Sequence, residues 1–238
     1  MTSREGQRAA IAELVATFSF VFLGAGTVVS TGMIMDGGLT PARLTAIALA
    51  HGLAIAIMVA STARFSGGHI NPAVTIAAVV MGKMSITRGT MYVLAQLVGG
   101  IAAAFLLKGI IPGNLEGGLG SHALGSVDSA GIGVLVEIVL TFFLVFVVFV
   151  TAMDPKGPGL PIAPFAIGLT VMVDHLVGVP LTGASMNPAR SLGPAWAAGQ
   201  WADHWVYWVG PIAGGIIAAV LFQGVFRKWA GQSEGDGG

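Results

Sequence analysis

The sequence predicts an all-α membrane protein with six transmembrane helices and two re-entrant half-helices, arranged as two inverted repeats. Three observations carry this prediction. First, 55% of the 238 residues are hydrophobic, 9% are charged, and mean hydropathy is +0.85. An ordinary soluble domain carries about 25% charged residues, and a soluble fold of this composition would expose too much apolar surface to stay dispersed. Second, six stretches, roughly 10–31, 43–63, 86–107, 131–152, 160–179 and 205–226, are apolar over helical lengths. A crossing helix needs about 20 such residues. Third, an Asn-Pro-Ala tripeptide occurs twice, at equivalent places in two similar halves of the chain.

Composition also excludes several classes. The 11 basic residues balance 11 acidic ones, so the basic excess of a nucleic-acid binder is missing. The apolar content excludes disorder. With no cysteine there is no disulfide framework, thiol nucleophile or cysteine-ligated metal. Nothing in the sequence resembles a nucleotide loop, a metal cluster or a catalytic triad, so neither an enzyme nor a cofactor is expected.

The first span is too long for a cleaved signal peptide, which would show a charged n-region followed by a short h-region. All six spans are continuously apolar, unlike the alternating strands of about 10 residues in a membrane barrel. With the N-terminus inside, Arg4, Arg8, Arg64, Lys83, Arg88, Lys156, Arg227 and Lys228 fall on the cytoplasmic side, against Arg43, Lys108 and Arg190 outside. The positive-inside rule therefore puts both termini in the cytoplasm, and the plasma membrane is the expected host. Gly99, Gly100, Gly210, Gly214 and Gly215 in spans 3 and 6 read as close helix packing. Trp201, Trp205, Tyr207 and Trp208 read as an interfacial belt where span 6 begins.

The two halves align at many points. GGHINPAVT (67–75) corresponds to GASMNPARS (183–191), with Asn71 and Asn187 offset by 116. Gly52 and Gly168 share that offset, and 92–107 matches 207–222 at an offset of 115. Glu13 and Glu137 sit at similar places early in spans 1 and 4. Each half holds three spans. An odd number forces the second half into the bilayer upside down, around a pseudo-two-fold axis in the membrane plane.

Pro72 and Pro188 suit the first position of a helix, where a missing N–H costs nothing, and Asn71 and Asn187 before them are natural N-caps. Ala73 and Ala189 complete the tripeptides and open apolar runs long enough for half a membrane but not for a span. Ordinary capped surface loops are the plainer alternative. Against it, both segments lie in apolar surroundings behind small residues, Gly67 and Gly68 in one and Gly183 and Ala184 in the other. Non-helical backbone at membrane depth is tolerated only inside protein or beside a wet cavity. Two half-helices then enter from opposite faces, each bringing about half a positive charge to the midplane. With the Asn amides as donors, this focus repels cations and orients a water by its oxygen.

The paired tripeptides, the six spans and the segment TGASMNPARSLGPA (182–195) resemble the aquaporin (major intrinsic protein) family over essentially the whole chain. The resemblance implies an hourglass channel with one pore per protomer, a homotetramer in the lipid bilayer, and a single channel domain over 1–238. Within it the first repeat covers 9–107, a connecting loop 108–130, the second repeat 131–228 and a disordered tail 229–238. It also implies a four-sided selectivity filter at His51, His175, Ala184 and Arg190. Arg190 could otherwise anchor at the interface, and either histidine could be a satisfied core residue. A first-position histidine with a small third residue resembles the tonoplast-type subfamily, although His175 stands where that group usually has an aliphatic residue. In ammonia-permeable members of that group, a loop histidine 15 residues before the span-4 glutamate joins the filter. His122 has that spacing from Glu137, and a plain solvated loop histidine is the alternative.

Glycerol facilitators are disfavoured by Ser191, where they typically carry Asp, and by His175 and Ala184 in place of an aromatic, glycine-containing constriction. Glu13 and Glu137 admit two readings. One is a proton-coupled carrier; the other, implied by the family and favoured by the repeat, is a buttress holding each re-entrant loop by its backbone N–H groups. Asp174 has no clear assignment. The expected function is a passive water channel that excludes ions and protons, with ammonia as a second substrate. A small neutral-solute facilitator, a secondary transporter and a non-conducting junction protein are the alternatives.

Overall fold

The computed structural model describes residues 4–35, 38–115 and 117–227. Lys228 and the tail expected at 229–238 lie outside them. Among the described residues there are eight α-helices: α1 Arg4–Ile34, α2 Pro41–Ser66, α3 Pro72–Val80, α4 Ile86–Ile110, α5 Ala130–Val148, α6 Ala163–Thr182, α7 Pro188–Ala198 and α8 Val206–Leu221. Six are long and apolar enough to cross a membrane; α3 and α7, with 9 and 11 residues, are not. No strand occurs among the described residues. The first four spans reach beyond the expected stretches at one or both ends, the fifth is shifted to Ala163–Thr182, and the sixth, Val206–Phe226, keeps within 205–226. Helix α1 begins at Arg4 and α4 continues to Ile110, because charged and polar residues can stay helical in the headgroup region where water satisfies them. The fourth and sixth spans end in π-helical turns, Phe149–Met153 and Phe222–Phe226.

Local sequence explains the boundaries. Thr40, Ser85 and Ser129 cap α2, α4 and α5 through their hydroxyls. Gly67 and Gly183 end α2 and α6 at φ 93° and 87°, a left-handed conformation open to glycine at little cost. The carboxyl end of α7 receives a cation: Lys108 Nζ donates to Ala197 O at 2.6 Å, a favourable charge for a helix C-terminus.

The halves pack by matching rules. Helix α1 packs on α4 as α5 packs on α8, and α2 packs on α6. Small residues set these distances. At the α2–α6 crossing, a Cβ built on Gly52 would fall 2.7 Å from Gly168 O, and one on Gly168 would fall 2.7 Å from Gly52 O. Gly99 packs on the backbone of Leu14 in α1, while its repeat counterpart Gly214 packs on Ile138 in α5. Gly100 lies against Ala189 O of one half-helix, and Gly215 against Ala73 O of the other. The glycines thus let the half-helices seat against full spans. Large side chains such as Leu53, Phe143 and Val177 are exposed on the outside of the bundle, as a lipid-facing surface requires.

Candidate functional site

Both half-helices start from the same local chemistry. Asn71 Oδ1 accepts from Ala73 N at 2.8 Å, and Asn187 Oδ1 accepts from Ala189 N at 3.0 Å and Arg190 N at 3.3 Å. The preceding residues, Ile70 at φ 59° and Met186 at φ 53°, are left-handed although neither is glycine. That conformation is costly for such residues, and it turns their carbonyls toward the opposite half-helix. Asn71 Nδ2 donates to Met186 O at 2.7 Å, and Asn187 Nδ2 donates to Ile70 O at 3.0 Å. The two tips are therefore cross-bonded at the centre of the molecule, with one N–H of each amide spent on the other half and one left over.

Two buried carboxylates hold the loops that lead into these tips. Glu13 accepts from Ser66 Oγ at 2.6 Å, His69 N at 2.9 Å, Ile70 N at 2.6 Å and Gln96 Nε2 at 2.8 Å. Glu137 accepts from Thr182 Oγ1 at 2.7 Å, Ser185 N at 2.9 Å and Met186 N at 2.8 Å. Both are fully buried, and these donors offset the cost of burying them. Gln96, which the sequence reading passed over, is a fourth donor in the first half and also donates to Thr75 Oγ1 at 2.9 Å. Its signal was a lone amide inside an apolar span.

A second cluster lies beyond the tips. Arg190 is 2% exposed; its Nε donates to His51 Nε2 at 3.2 Å and its Nη1 donates to Gly120 O at 2.8 Å. His51 and His175 stack with ring centroids 4.1 Å apart. Ala184, at φ 59°, is fully buried, with its methyl toward Gly178 of α6. His122 joins them from the loop. It is 8% exposed, its Nδ1 is 2.7 Å from Ser191 Oγ, and Ser191 Oγ in turn bonds Ser185 Oγ. The loop is tied down by Gly125 N to Leu181 O at 2.8 Å and Ser126 N to Pro180 O at 3.0 Å. Burial pushes the His122 imidazole well below its ordinary pKa, and Arg190, His175 and His204 push it further. It is thus a neutral imidazole whose Nε2 has no partner among the described residues, like the Nε2 of His175.

On the other side of the tips an inner vestibule of about 90 Å³ is lined by Gly67, Gly68, His69 and Asn71 together with Ile55, Val59 and Leu144. The polar backbone of the first loop therefore faces an apolar wall. Asp174 is also buried, beside a groove between α5 and α6, and its Oδ2 has no partner among the described residues. It belongs to neither the tips nor the filter cluster.

The comparisons with known proteins fit this geometry. The family model for the major intrinsic protein matches residues 1–222. The chain belongs to the major intrinsic protein family. Within it, the chain is 48% identical to aquaporin TIP4-4 of Zea mays over 94% of its own length and 88% of the relative's. It is 44% identical to the probable aquaporin TIP3-2 of Arabidopsis thaliana, covering 93% and 85%. Among solved structures, the aquaglyceroporin from Plasmodium falciparum superposes with a TM-score of 0.82 at 22% identity, covering 93% of this chain and 97% of that one. The likeness is thus to tonoplast-type aquaporins, and the fold is the aquaporin fold. As a family member the chain is an integral membrane channel for water or small solutes.

Proposed function

We propose that the chain is a passive water channel that excludes ions and protons and conducts ammonia as a second substrate. The observation that carries this reading is the cross-bonding of Asn71 and Asn187, which fixes two electropositive helix ends, with one spare amide N–H each, against one another. A water passing there presents its oxygen to these donors, so its own hydrogens point away along the pore and a continuous proton wire is broken. Pro72 and Pro188 start the two helices without wasting a donor, and Ala73 and Ala189 keep the tips small enough to leave a lumen.

His51, His175, Ala184 and Arg190 are the filter. Arg190 repels cations, and it is held by His51 and Gly120 O so that its charge stays at the constriction. Glu13 and Glu137 act as buttresses. Each spends its lone pairs on N–H groups of a re-entrant loop, an arrangement that suits a fixed structural anion better than a proton carrier. Ammonia is favoured as the second substrate by the unpartnered Nε2 atoms of His122 and His175, which as neutral imidazoles accept a hydrogen bond from ammonia and hold no cation.

The tonoplast-type relatives point to a vacuolar membrane rather than the plasma membrane expected from the sequence. Cytoplasmic termini are the orientation the basic residues favour, and a homotetramer is the assembly the family resemblance implies. Stopped-flow light scattering of proteoliposomes tests the reading. Shrinkage against an impermeant osmolyte should be far faster than in protein-free vesicles, and ammonium should alkalinise the lumen while glycerol barely enters. Water flux no faster than through lipid alone would overturn it.

A further inference from the structure

Against the first re-entrant loop lies a second, polar cavity of about 290 Å³. Its floor is Ser66–His69, and Gly67 and His69 line both this cavity and the inner vestibule. One short stretch of backbone therefore separates the two. Three elements wall the cavity with cations: Arg64 from the end of α2, Lys83 from the turn after α3, and Arg88 from the first turn of α4. Against them stands Glu5, whose carboxylate is 4.0 Å from Arg88 in a solvent-exposed pair. Such a pair is worth little and is readily exchanged.

The two guanidinium groups are held in place by other contacts. Arg88 Nε donates to Tyr92 Oη at 3.1 Å, and Tyr92 Oη donates to Ser66 O at 2.8 Å. The Arg64 guanidinium lies over the Phe65 ring at 4.5 Å. Among the described residues, neither Arg64 nor Lys83 has an acidic partner. An apolar groove of about 290 Å³ runs between α3 and α4, lined by Val79, Val80, Ile86, Val93 and Leu94, and it shares α4 with the cavity: Arg88 and Tyr92 line the cavity where their chain neighbours Gly89 and Val93 line the groove. A cationic polar cavity and an apolar groove are thus lined by successive residues of the first turns of α4.

We propose that this pair of features binds one anionic phospholipid, with its phosphate among Arg64, Lys83 and Arg88 and an acyl chain in the α3–α4 groove. Guanidinium groups match phosphate oxygens in pairs, and basic pockets between membrane helices favour anionic headgroups. The apolar groove selects a lipid over free phosphate. The bound headgroup packs on the back of the Ser66–His69 loop that lines the vestibule.

Native mass spectrometry of the detergent-released protein tests this, with phosphatidylglycerol and phosphatidylcholine of identical chains as probes. The wild type should retain phosphatidylglycerol preferentially. Arg64→Gln with Lys83→Gln should lower that retention by roughly tenfold, whereas Arg64→Lys with Lys83→Arg should keep it. Circular dichroism and the unfolding midpoint in phosphatidylcholine nanodiscs verify that both double variants are folded. Equal retention of the two lipids by the wild type, or undiminished phosphatidylglycerol on the folded Gln variant, overturns the proposal. Complete displacement of the lipid by millimolar inorganic phosphate would mark a free-phosphate site and overturn the lipid assignment.

Discussion

The His51 and His175 rings lie in stacked contact, 4.1 Å between centroids and 28° from parallel. Each Nδ1 is 2.8 Å from the carbonyl four residues earlier, Ile47 O for one and Val171 O for the other. A carbonyl can only accept, so both Nδ1 atoms carry the proton and both Nε2 atoms are acceptors. His51 Nε2 takes its hydrogen from Arg190; His175 Nε2 faces no donor among the described residues. No water fits between rings this close, so permeant molecules pass beside the stack.

The stack should therefore set the width of the filter. Removing its free partner with His175→Ala leaves the Arg190–His51 bond intact and vacates the volume of one imidazole. Glycerol entry into proteoliposomes should rise clearly above the wild type while water flux persists. Glycerol flux unchanged from wild type would show that the ring does not border the lumen.

The buttresses should be sensitive to a single atom. Glu137→Gln keeps the shape but sets an NH2 group either against Ser185 N and the hydroxyl of Thr182, which share Oε1, or against Met186 N on Oε2. Leaving such buried donors unmet costs about 1–3 kcal/mol each. The unfolding midpoint in detergent should drop by several degrees and water flux should fall. Glu13→Gln should act in the same direction, because four donors converge on that carboxylate. A variant as stable as wild type would mean that these bonds are not needed to hold the loops.

Much of this site was legible in the sequence, because its elements obey local rules. Asn-Pro at a helix start is a cap followed by a first-turn proline, and the 116-residue offset paired each feature with its counterpart. Even the glycine pair Gly52 and Gly168 stood out by that offset, and the two meet at the α2–α6 crossing. The cross-bonding of the tips was not legible. It depends on Ile70 and Met186 adopting positive φ, and neither residue type announces such a turn. The halves also diverge where the pattern predicts likeness. Thr75 and Ser191 are equivalent, and each bonds the counterpart residue of its own loop, His69 or Ser185, yet the further partner is Gln96 of α4 in one half and His122 of the connecting loop in the other. A loop folding back over 69 positions leaves no periodic trace.

Acid should weaken the fold through His122. Its imidazole is held well below the ordinary value by burial, then by the nearby Arg190 charge. The unfolded chain then binds the proton more readily than the folded one, with an imidazole that titrates near 6.5. Stability is fully present above about pH 6.5 and falls at lower pH, by at most about 1.4 kcal/mol per pH unit for this group. Unfolding midpoints measured from pH 7.5 down to 5.5 should decline, and His122→Gln should make that decline shallower. Parallel slopes for the two proteins would exclude His122 as a contributor.

Two glycines should respond in opposite ways. Gly52→Leu drives a side chain into Gly168 O and Met172, where backbone cannot yield, and it should abolish folded protein in the membrane fraction. Gly109, in the last turn of α4, has nothing within 4 Å of an added Cβ. Gly109→Ala should leave water flux unchanged and raise stability by about 0.5–1 kcal/mol, the ordinary gain of alanine over glycine in a helix. Comparable losses at both sites would mean that helix propensity, and not the α2–α6 crossing, controls them.

Arg190 should be needed for its charge and for its fork. Its Nε and Nη1 reach His51 Nε2 and Gly120 O in different directions, which ties a helix-borne charge to α2 and to the connecting loop at once. Arg190→Val removes the barrier to cations while the Asn71–Asn187 tips stay bonded, so proton leak should rise, measured with an entrapped pH dye, and water flux should persist. Arg190→Lys keeps the charge as a compact ammonium that cannot span both acceptors in the guanidinium's geometry. Proton exclusion should therefore be largely restored by lysine, while the constriction loosens and glycerol entry increases. If valine and wild type exclude protons equally well, the whole barrier resides at the half-helix tips, and Arg190 serves only to pin the loop.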